Sequence, residues 1–467
     1  MSKFGISMRW MALVILCLGD LMIVLDTTIV NVALPSIRMS LGFSETALVW
    51  VINAYLLTFG GFLLLGGRLG DLFGHRRLFV IGIILFTIAS LLCGLANTQL
   101  LLVAARALQG IGGAVVSAVA LSLIMTLFVE AGDRAKAMGV FGFVAAGGGS
   151  IGVFLGGILT NFLDWHWIFL VNIPIGILVC ILSVWLLPKD NVNTEKAHLD
   201  VGGSITVTAS LMLAVYAIIN GNIVGWLSAQ TLGMLVASVV LMGLFFTIES
   251  RVKSPLMPLH LFRNKNVTVA NLVGILWAAA MFAWFFISAL YLQFVLGYSP
   301  FEVGMAFLPA NLIMAIFSLG ISAQLVMKLG ISRTLSLGLA LAVGALLLLA
   351  RAPLGGDFMW HVLPSMILLG FGAGAAFNPM LLAAMSGVRA DESGIASGMV
   401  NTSFMMGGAV GLAILASIAG ARTAWLEQAG VPALAALNGG YHLAFFVGAI
   451  FAGIAVVLSA TLLRKAA

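Results

Sequence analysis

Long apolar runs separated by short polar breaks extend along the whole chain. A helix of about 20 apolar residues is long enough to cross a bilayer, and fourteen such windows follow one another from Trp10–Leu34 to Tyr441–Leu463. The pattern predicts an all-α integral membrane protein with fourteen transmembrane helices. The first window is too long for the apolar part of a signal peptide and contains two aspartates, so we expect it to be retained as the first helix.

The polar breaks divide the spans into three parts. The two most polar breaks, Leu187–Asp200 and Glu249–Asn266, enclose two spans without an embedded acid or base. We therefore predict an N-terminal six-helix bundle (residues 1–188), a two-helix insert with its linkers (189–255) and a C-terminal six-helix bundle (256–467).

A weak internal repeat supports this division. The segment GHRRLFVIG, which begins at Gly74, matches GISRTLSLG, which begins at Gly330; GGSIG from Gly148 matches GGAVG from Gly407. Each pair falls at corresponding places in the two predicted bundles. Two parallel six-helix halves around a midplane site are typical of secondary transporters.

Composition and charge agree with a membrane protein and exclude a nucleic-acid binder. Of the 467 residues, 62% are hydrophobic and 8% are charged, whereas soluble domains carry about 25% charged residues. Eighteen of the 22 lysines and arginines fall on the side of the N-terminus, three fall on the other side, and Arg106 lies within a span. This asymmetry predicts that both termini are cytoplasmic, and it relates the net charge of +6 to topology and anionic lipids.

Several sequence motifs resemble one known family. In chain order the motifs are LDTTIVNVALP (25–35), GGRLGDLFGHRR (66–77), RALQGIGGA (106–114), WHWIFLVNIPIG (165–176) and LYLQFVLGYSPFEVGMAFLP (290–309). With these motifs the chain resembles the fourteen-span drug/proton antiporters of the major facilitator superfamily, of the quaternary-ammonium and multidrug efflux type. One departure is Gly152 followed by Val153, where the family usually has a Gly-Pro pair.

The resemblance implies a function. We expect a monomeric antiporter of the bacterial cytoplasmic membrane that exports lipophilic, often monocationic drugs in exchange for protons by alternating access, without a cofactor. Export of an endogenous metabolite or siderophore remains the alternative. A membrane enzyme is disfavoured because the six histidines are scattered, and a channel is disfavoured because rings of charge and a filter-like loop are lacking.

The loop between the second and third spans is a candidate conformational latch, as the resemblance implies. Its glycines allow a tight turn, and its carboxylate is an acceptor for guanidinium groups or for a helix N-terminus. The alternative is a charged loop that only fixes orientation. The latch residues are Gly67, Asp71, Gly74, Arg76 and Arg77.

The fifth span is rich in glycine. Small residues four apart allow helices to approach closely in lipid, so packing and a functional hinge are equally good interpretations. The glycine motif consists of Gly148, Gly152, Gly156 and Gly157.

Three ionisable residues lie well inside the spans: Asp20, Asp26 and Arg106. At 1.5 Å per residue, Asp26 and Arg106 reach similar depths in the first and fourth spans, so we expect them to pair. At 100° per residue Asp20, Thr27 and Asn31 form one polar stripe, and Asp26 points about 120° away. One acid then faces the cavity and the other a neighbouring helix. We predict that Asp26, Asp20, Arg106 and Asn31 couple proton and substrate movement; helix packing by Asp26 is the alternative.

The ninth span contains a run of aromatic residues. Lipid-facing packing is the favoured interpretation, and the alternative is a substrate pocket, because aromatic faces attract organic cations and methionine adapts to varied shapes. The candidate pocket residues are Met281, Trp284, Phe285 and Gln293. The C-terminal bundle has no embedded acid, and Glu249 and Glu302 are expected to be solvated at helix ends.

Overall fold

The computed structural model describes residues 6–128, 130–188, 200–252, 255–388 and 392–463, and in these ranges the regular structure is helical. The α-helices are α1 Ile6–Leu41, α2 Glu45–Leu48, α3 Trp50–Phe73, α4 His75–Gly94, α5 Gln99–Leu127, α6 Ala131–Phe162, α7 Trp167–Leu170, α8 Asn172–Leu186, α9 Val201–Val224, α10 Ala229–Arg251, α11 Lys265–Leu290, α12 Pro300–Ile316, α13 Ser322–Leu329, α14 Ile331–Leu349, α15 Leu363–Met385, α16 Ser393–Gln428 and α17 Ala433–Leu462. A 3₁₀ helix covers Leu259–Arg263, and π-helical segments cover Tyr291–Val295, Phe317–Ile321 and Phe358–Val362.

The helices confirm an all-α membrane protein. Among the described residues, twelve helices are long and apolar enough to cross a bilayer. Two further apolar segments, Ile151–Phe162 and Pro300–Ile316, are shorter. The helix count is therefore twelve by this criterion rather than the fourteen predicted.

Most helices pack in two groups. The N-terminal group contains α1, α3, α4, α5, α6 and α8, and the C-terminal group contains α11, α12, α14, α15, α16 and α17. The groups meet mainly where α3 packs on α16 and where α6 packs on α12. Helices α9 and α10 pack on each other, and α9 also lies against α3 and α16. We call the end of the molecule at which α1 begins the N-terminal face, and the end at which α1 finishes the opposite face.

Matching turns occupy the sites of the first sequence repeat. Gly74 alone separates α3 from α4 with φ +94°, and Gly330 alone separates α13 from α14 with φ +85°. A side chain is strained at such positive φ values, so glycine is the residue that allows one helix to follow another there.

Matching close contacts occupy the sites of the second repeat. A Cβ added at Gly148 would lie 2.9 Å from the Leu21 side chain in α1, and one added at Gly152 would lie 3.0 Å from the Leu25 carbonyl oxygen. In the C-terminal group, Cβ atoms at Gly407 and Gly411 would lie 2.6 and 2.3 Å from α-carbons of α11. The repeated glycines thus bring α6 onto α1, and α16 onto α11, in the same way.

Candidate functional site

A buried ion pair lies in the middle of the N-terminal group. Asp26 of α1 and Arg106 of α5 are 0% and 1% exposed, and the carboxylate accepts a hydrogen bond from Arg106 Nη1. The pairing predicted from helix depth is therefore present. A charge is tolerated in this apolar place because each side chain neutralises the other.

Two buried amides complete the surroundings of the carboxylate. Gln109 Nε2 donates to Asp26 Oδ1 at 2.7 Å, and Asn172 Nδ2 donates to the same oxygen at 3.2 Å. Gln109 Oε1 accepts a hydrogen bond from Arg106 Nη1 at 2.7 Å. The carboxylate therefore has three donors from two helices, α5 and α8.

The guanidinium of Arg106 is held on other sides as well. Its Nε donates to the carbonyl oxygen of Val51 in α3 at 2.9 Å, and its carbon lies 4.5 Å from the centre of the Tyr55 ring. A planar group with several donors is suited to such a site, where a lysine ammonium would keep only part of the contacts. Helices α1, α3, α5 and α8 thus meet at one polar cluster.

Sequence reasoning missed three members of this cluster. Ser90 Oγ accepts hydrogen bonds from Gln109 at 3.2 Å and Asn172 at 3.0 Å, and donates to the Phe169 carbonyl oxygen at 2.9 Å. A signal was available for Gln109, because it lies three residues after Arg106 on the same helix face. Asn172 lies within a motif used for the family resemblance, but its depth alone did not distinguish it from a helix-end residue.

The second acid on α1 has a simpler environment. Asp20 is 5% exposed and accepts one hydrogen bond, from Ser117 Oγ of α5, at 3.3 Å. Asn31 is also buried, and its amide donates to the Thr27 carbonyl oxygen in its own helix. Both acids therefore contact α5, and the expected division into a cavity-facing acid and a helix-facing acid is not seen.

The predicted latch residues lie at the N-terminal face. Gly67 is in α3, Gly74 makes the turn to α4, and the side chain of Asp71 lies outside the described part of the structure. The Arg76 guanidinium donates to the carbonyl oxygen of Val184 in α8. This contact stays within the N-terminal group.

The glycine motif of α6 faces two different neighbours. Gly148, Gly152 and Gly156 approach α1, and a Cβ at Gly156 would lie 2.7 Å from the Ile29 carbonyl oxygen. Gly157 approaches the C-terminal group, where a Cβ would lie 2.8 Å from the Pro300 carbonyl oxygen. One motif thus serves both the packing within a group and the contact between groups.

The favoured lipid-facing interpretation of the aromatic run is wrong for two residues. Trp284 is 0% and Phe285 8% exposed, and both rings contact Phe307 of α12. Lipid-facing rings would be exposed in the protein alone. Met281 is half-buried, and Gln293 Nε2 donates to the Val32 carbonyl oxygen in α1 at 2.8 Å. Trp284 and Phe285 are buried because the side of α11 that carries them faces the other helices of the C-terminal group.

Side chains at the opposite face join the two groups. Glu45 accepts hydrogen bonds from Arg38 at 2.8 Å and from the Tyr441 hydroxyl of α17 at 3.0 Å. The Arg38 guanidinium also lies 4.8 Å from the centre of the Phe294 ring. A cleft of about 820 Å³ opens beside these residues. Together with the Gln293 contact, these interactions connect the two groups at the opposite face.

The comparisons with known proteins agree with this arrangement. Residues 16–412 match the Major Facilitator Superfamily. The chain belongs to that superfamily. The chain is 40% identical over 455 residues to the puromycin resistance protein pur8 of Streptomyces alboniger, and the match covers 95% of this chain and 89% of that relative. It is 37% identical over 454 residues to the cephamycin export protein CmcT of Amycolatopsis lactamdurans, with coverage of 96% and 90%.

A solved structure shows the same fold. A bacterial homologue of the human lysosomal transporter Spinster, in an inward-facing and occupied conformation, superposes on this facilitator with a TM-score of 0.70 at 15% identity. The superposition covers 98% of this chain and 97% of the other. Membership of the superfamily and the similarity to the two relatives show that this protein is a multi-span membrane transporter of small molecules rather than an enzyme.

Proposed function

We propose that this facilitator exports lipophilic drugs, often monocations, in exchange for protons by alternating access. The observation that carries the proposal is the buried Asp26–Arg106 pair, because an ionisable pair in the hydrocarbon region is retained at a free-energy cost and typically serves ion or proton movement. The names of the two relatives support drugs as substrates.

The proposed architecture has fourteen membrane spans. Helix α6 is 32 residues long as a whole, and α12 is followed by α13 across a kink at Gly320, so each of these segments is long enough to cross a bilayer. We assign residues 1–188 to the N-terminal bundle, 189–255 to the insert and 256–467 to the C-terminal bundle. The paired contacts α3 with α16 and α6 with α12 support a two-fold relation between the bundles.

The proposed orientation places the N-terminal face in the cytoplasm. The excess of lysine and arginine on the side of the N-terminus supports this. Both termini are then cytoplasmic, the protein acts as a monomer in the bacterial cytoplasmic membrane, and the net charge has no role in nucleic-acid binding.

Asp26 and Arg106 are proposed to form a two-state element. A proton on Asp26 would cancel its attraction for the guanidinium, and Arg106 would keep Gln109 and the Val51 carbonyl oxygen as acceptors. Because α1 and α5 are joined by this contact, protonation would alter how these helices pack. Asp20, which accepts a hydrogen bond from the Ser117 hydroxyl, is the proposed second proton acceptor on α1. Asn31 is proposed to take part in coupling because it lies on the same polar stripe as Asp20.

The latch and the opposite-face contacts are proposed to alternate. In this structure the opposite face is joined through Glu45 and Tyr441, and the Arg76 guanidinium binds the Val184 carbonyl oxygen of its own group. The joined opposite face supports a state in which the cytoplasmic side is the one that opens. Gly67, Asp71, Gly74 and Arg77 complete the latch when that side closes.

The charge of the substrate follows from the number of embedded acids. Exchange of a monocation for one proton moves no net charge, so the pH gradient alone drives it. A rigid dication would need two protons and two acids near the cavity. We propose monocations and neutral drugs as substrates, with Met281, Trp284, Phe285 and Gln293 as candidate contacts in a state that exposes them.

Transport into everted vesicles tests the proposal. Uptake of a lipophilic monocationic dye and of puromycin is measured with an imposed pH gradient, with the gradient collapsed, and in Asp26→Asn vesicles. We expect gradient-driven uptake in the parent alone. Equal uptake with and without the gradient, across a broad compound panel, contradicts proton exchange.

Export of an endogenous compound is the second candidate. The similarity to a protein named for cephamycin export favours it, since that name describes the export of an antibiotic rather than resistance alone. Gradient-driven uptake of a compound from an extract of the source cells, with no uptake of drugs or dyes, would favour this candidate.

A further inference from the structure

Two acids outside the Asp26 cluster are buried at the N-terminal face. Asp200 directly precedes α9, and Glu249 lies near the end of α10. They are 4% and 3% exposed. Glu249 was expected to be solvated at a helix end, and this expectation is wrong because the linker after α10 folds back over it, so that the Met257 N–H donates to Glu249 Oε2 at 3.0 Å.

Among the described residues, one oxygen of each carboxyl group has a hydrogen-bond donor and the other has none. Asp200 Oδ1 accepts from the Gly203 N–H at 2.7 Å and caps α9. Asp200 Oδ2 and Glu249 Oε1 are buried without a hydrogen-bond donor. Buried polar atoms of this kind are rare in folded proteins, because each costs the free energy of a lost hydrogen bond.

The two oxygens that lack a hydrogen-bond donor, Asp200 Oδ2 and Glu249 Oε1, lie beside the same glycine. A Cβ added at Gly203 would lie 2.5 Å from Asp200 Oδ2 and 3.0 Å from Glu249 Oε1. The oxygens are therefore within about 5.5 Å of each other, above a residue that has no side chain. Two buried negative charges at this distance repel each other and lack hydration.

We propose that Asp200 and Glu249 share one proton and form a proton-binding site separate from Asp20 and Asp26. With one proton, the protonated carboxyl group donates a short, charge-assisted hydrogen bond to the carboxylate of the other residue. Asp200 Oδ2 and Glu249 Oε1 then each have a hydrogen-bond partner. A calcium or magnesium ion would require about six oxygen ligands. The described residues contain no cluster of three histidine, cysteine, aspartate or glutamate side chains at all.

In the described ranges no ion pair joins a basic side chain to Asp200 or Glu249. Asp200 is the charged side chain that acts on Glu249 in the described part of the chain. Arg251 follows on α10 and is exposed, His260 pairs with Glu392 at 2.9 Å, and Arg68 lies at the end of α3.

The two carboxyl groups connect three chain segments near the contact between the helix groups. Their oxygens bind the start of α9, the end of α10 and the linker at Met257. Leu256 and Met257 line a small cavity of about 20 Å³ together with residues of α3 and α16, such as Leu64 and Met406. Release of the proton would therefore loosen the linker beside the α3–α16 contact. This inference does not depend on drug export.

Thermal unfolding of the purified full-length protein as a function of pH tests the shared proton. As the pH is raised from about 4 to about 7, we expect the midpoint temperature of the parent to fall, because carboxyl groups of the unfolded chain lose their protons in this range while the folded site retains the shared proton. Glu249→Gln and Asp200→Asn provide an amide N–H in place of the proton, so each should keep the low-pH midpoint and lose most of the pH-dependent fall. Glu427→Gln, an exposed acid, is the matched control and should behave like the parent.

Infrared spectroscopy detects the shared proton directly. The carbonyl band of a protonated carboxyl group should lose one component in Glu249→Gln, and the control should retain it. An unchanged band, or a pH-dependent fall that persists in both amide variants, overturns the proposal. A midpoint that rises with added calcium, magnesium or sodium in the parent but not in Glu249→Gln also overturns it, in favour of a cation site.

Discussion

Replacing Asp26 with asparagine leaves Arg106 buried without its counter-charge. Arg106 is 1% exposed, so water does not reach the guanidinium to compensate. Breaking a buried pair by removing one partner costs about 3 to 5 kcal/mol. We expect Asp26→Asn to lower the free energy of unfolding in detergent by an amount in this range, while the protein still inserts in the membrane.

A double variant separates packing from proton coupling. Asp26→Asn with Arg106→Gln removes both charges and leaves only neutral hydrogen-bonding groups among Gln109, Asn172 and Ser90. Because no charge remains unpaired, we expect the double variant to be more stable than Asp26→Asn by about 2 kcal/mol. The measurement is denaturant or thermal unfolding of the parent, both single variants and the double variant.

Transport by the same four proteins then decides the role of Asp26. If Asp26 carries the proton, the double variant regains stability but not gradient-driven transport. Recovery of both stability and gradient-driven transport would refute the coupling role and leave Asp26 as a packing residue. Strictly additive stability losses would refute the paired arrangement itself.

The lysine variant tests the geometry of the arginine. Arg106→Lys keeps a positive charge beside Asp26 but loses the hydrogen bond to the Val51 carbonyl oxygen and the planar contact with Tyr55. Loss of a hydrogen bond made by a charged group costs about 1.5 to 3 kcal/mol. We expect Arg106→Lys to be more stable than Arg106→Gln with Asp26 unchanged, yet to transport poorly. Full activity would show that charge alone is sufficient.

Five further variants address the second acid, the latch and the glycines. Asp20→Asn should reduce export of a rigid dication more than export of a monocation; strong dication efflux in this variant would contradict Asp20 as the second proton acceptor. Arg76→Ala and Asp71→Asn should lower turnover more than equilibrium binding of a fluorescent substrate, and lost binding with normal turnover would contradict the latch. Gly156→Ala should lower stability through α1 packing, whereas Gly157→Ala should mainly disfavour closure of the opposite face, seen as slower transport with near-parental stability.

Helix depth and order could be predicted from the sequence, but lateral contacts could not. The rise of 1.5 Å per residue placed Asp26 level with Arg106, and the structure contains that pair. Rotation on a single helix gives only a direction, and the neighbour in that direction depends on the packing of all the helices. The sequence therefore left open which acid faced a helix, and the structure places both against α5.

Burial was mispredicted where a distant segment covers a residue. Glu249 was expected to be solvated because it lies at a helix end, yet the linker returns and its Met257 N–H binds the carboxylate. The aromatic run that contains Trp284 was expected to face lipid, and a helix that is apolar on every side does not indicate which side is buried. In both cases the missing information is long-range contact rather than local pattern.

Charge and close packing are placed on different helix faces in this transporter. Asp20, Asp26 and Arg106 all belong to the N-terminal group, whereas the contact of α6 with the C-terminal group is uncharged. It is made by close backbone approach at Gly157 and Gly304 and by the rings of Phe154, Phe162 and Phe301. A proton on Asp26 therefore acts first on how α1 and α5 pack within one group. Since α6 packs on α1 through Gly152 and on α12 through Gly157, α6 is the element that connects a change at Asp26 with the contact between groups.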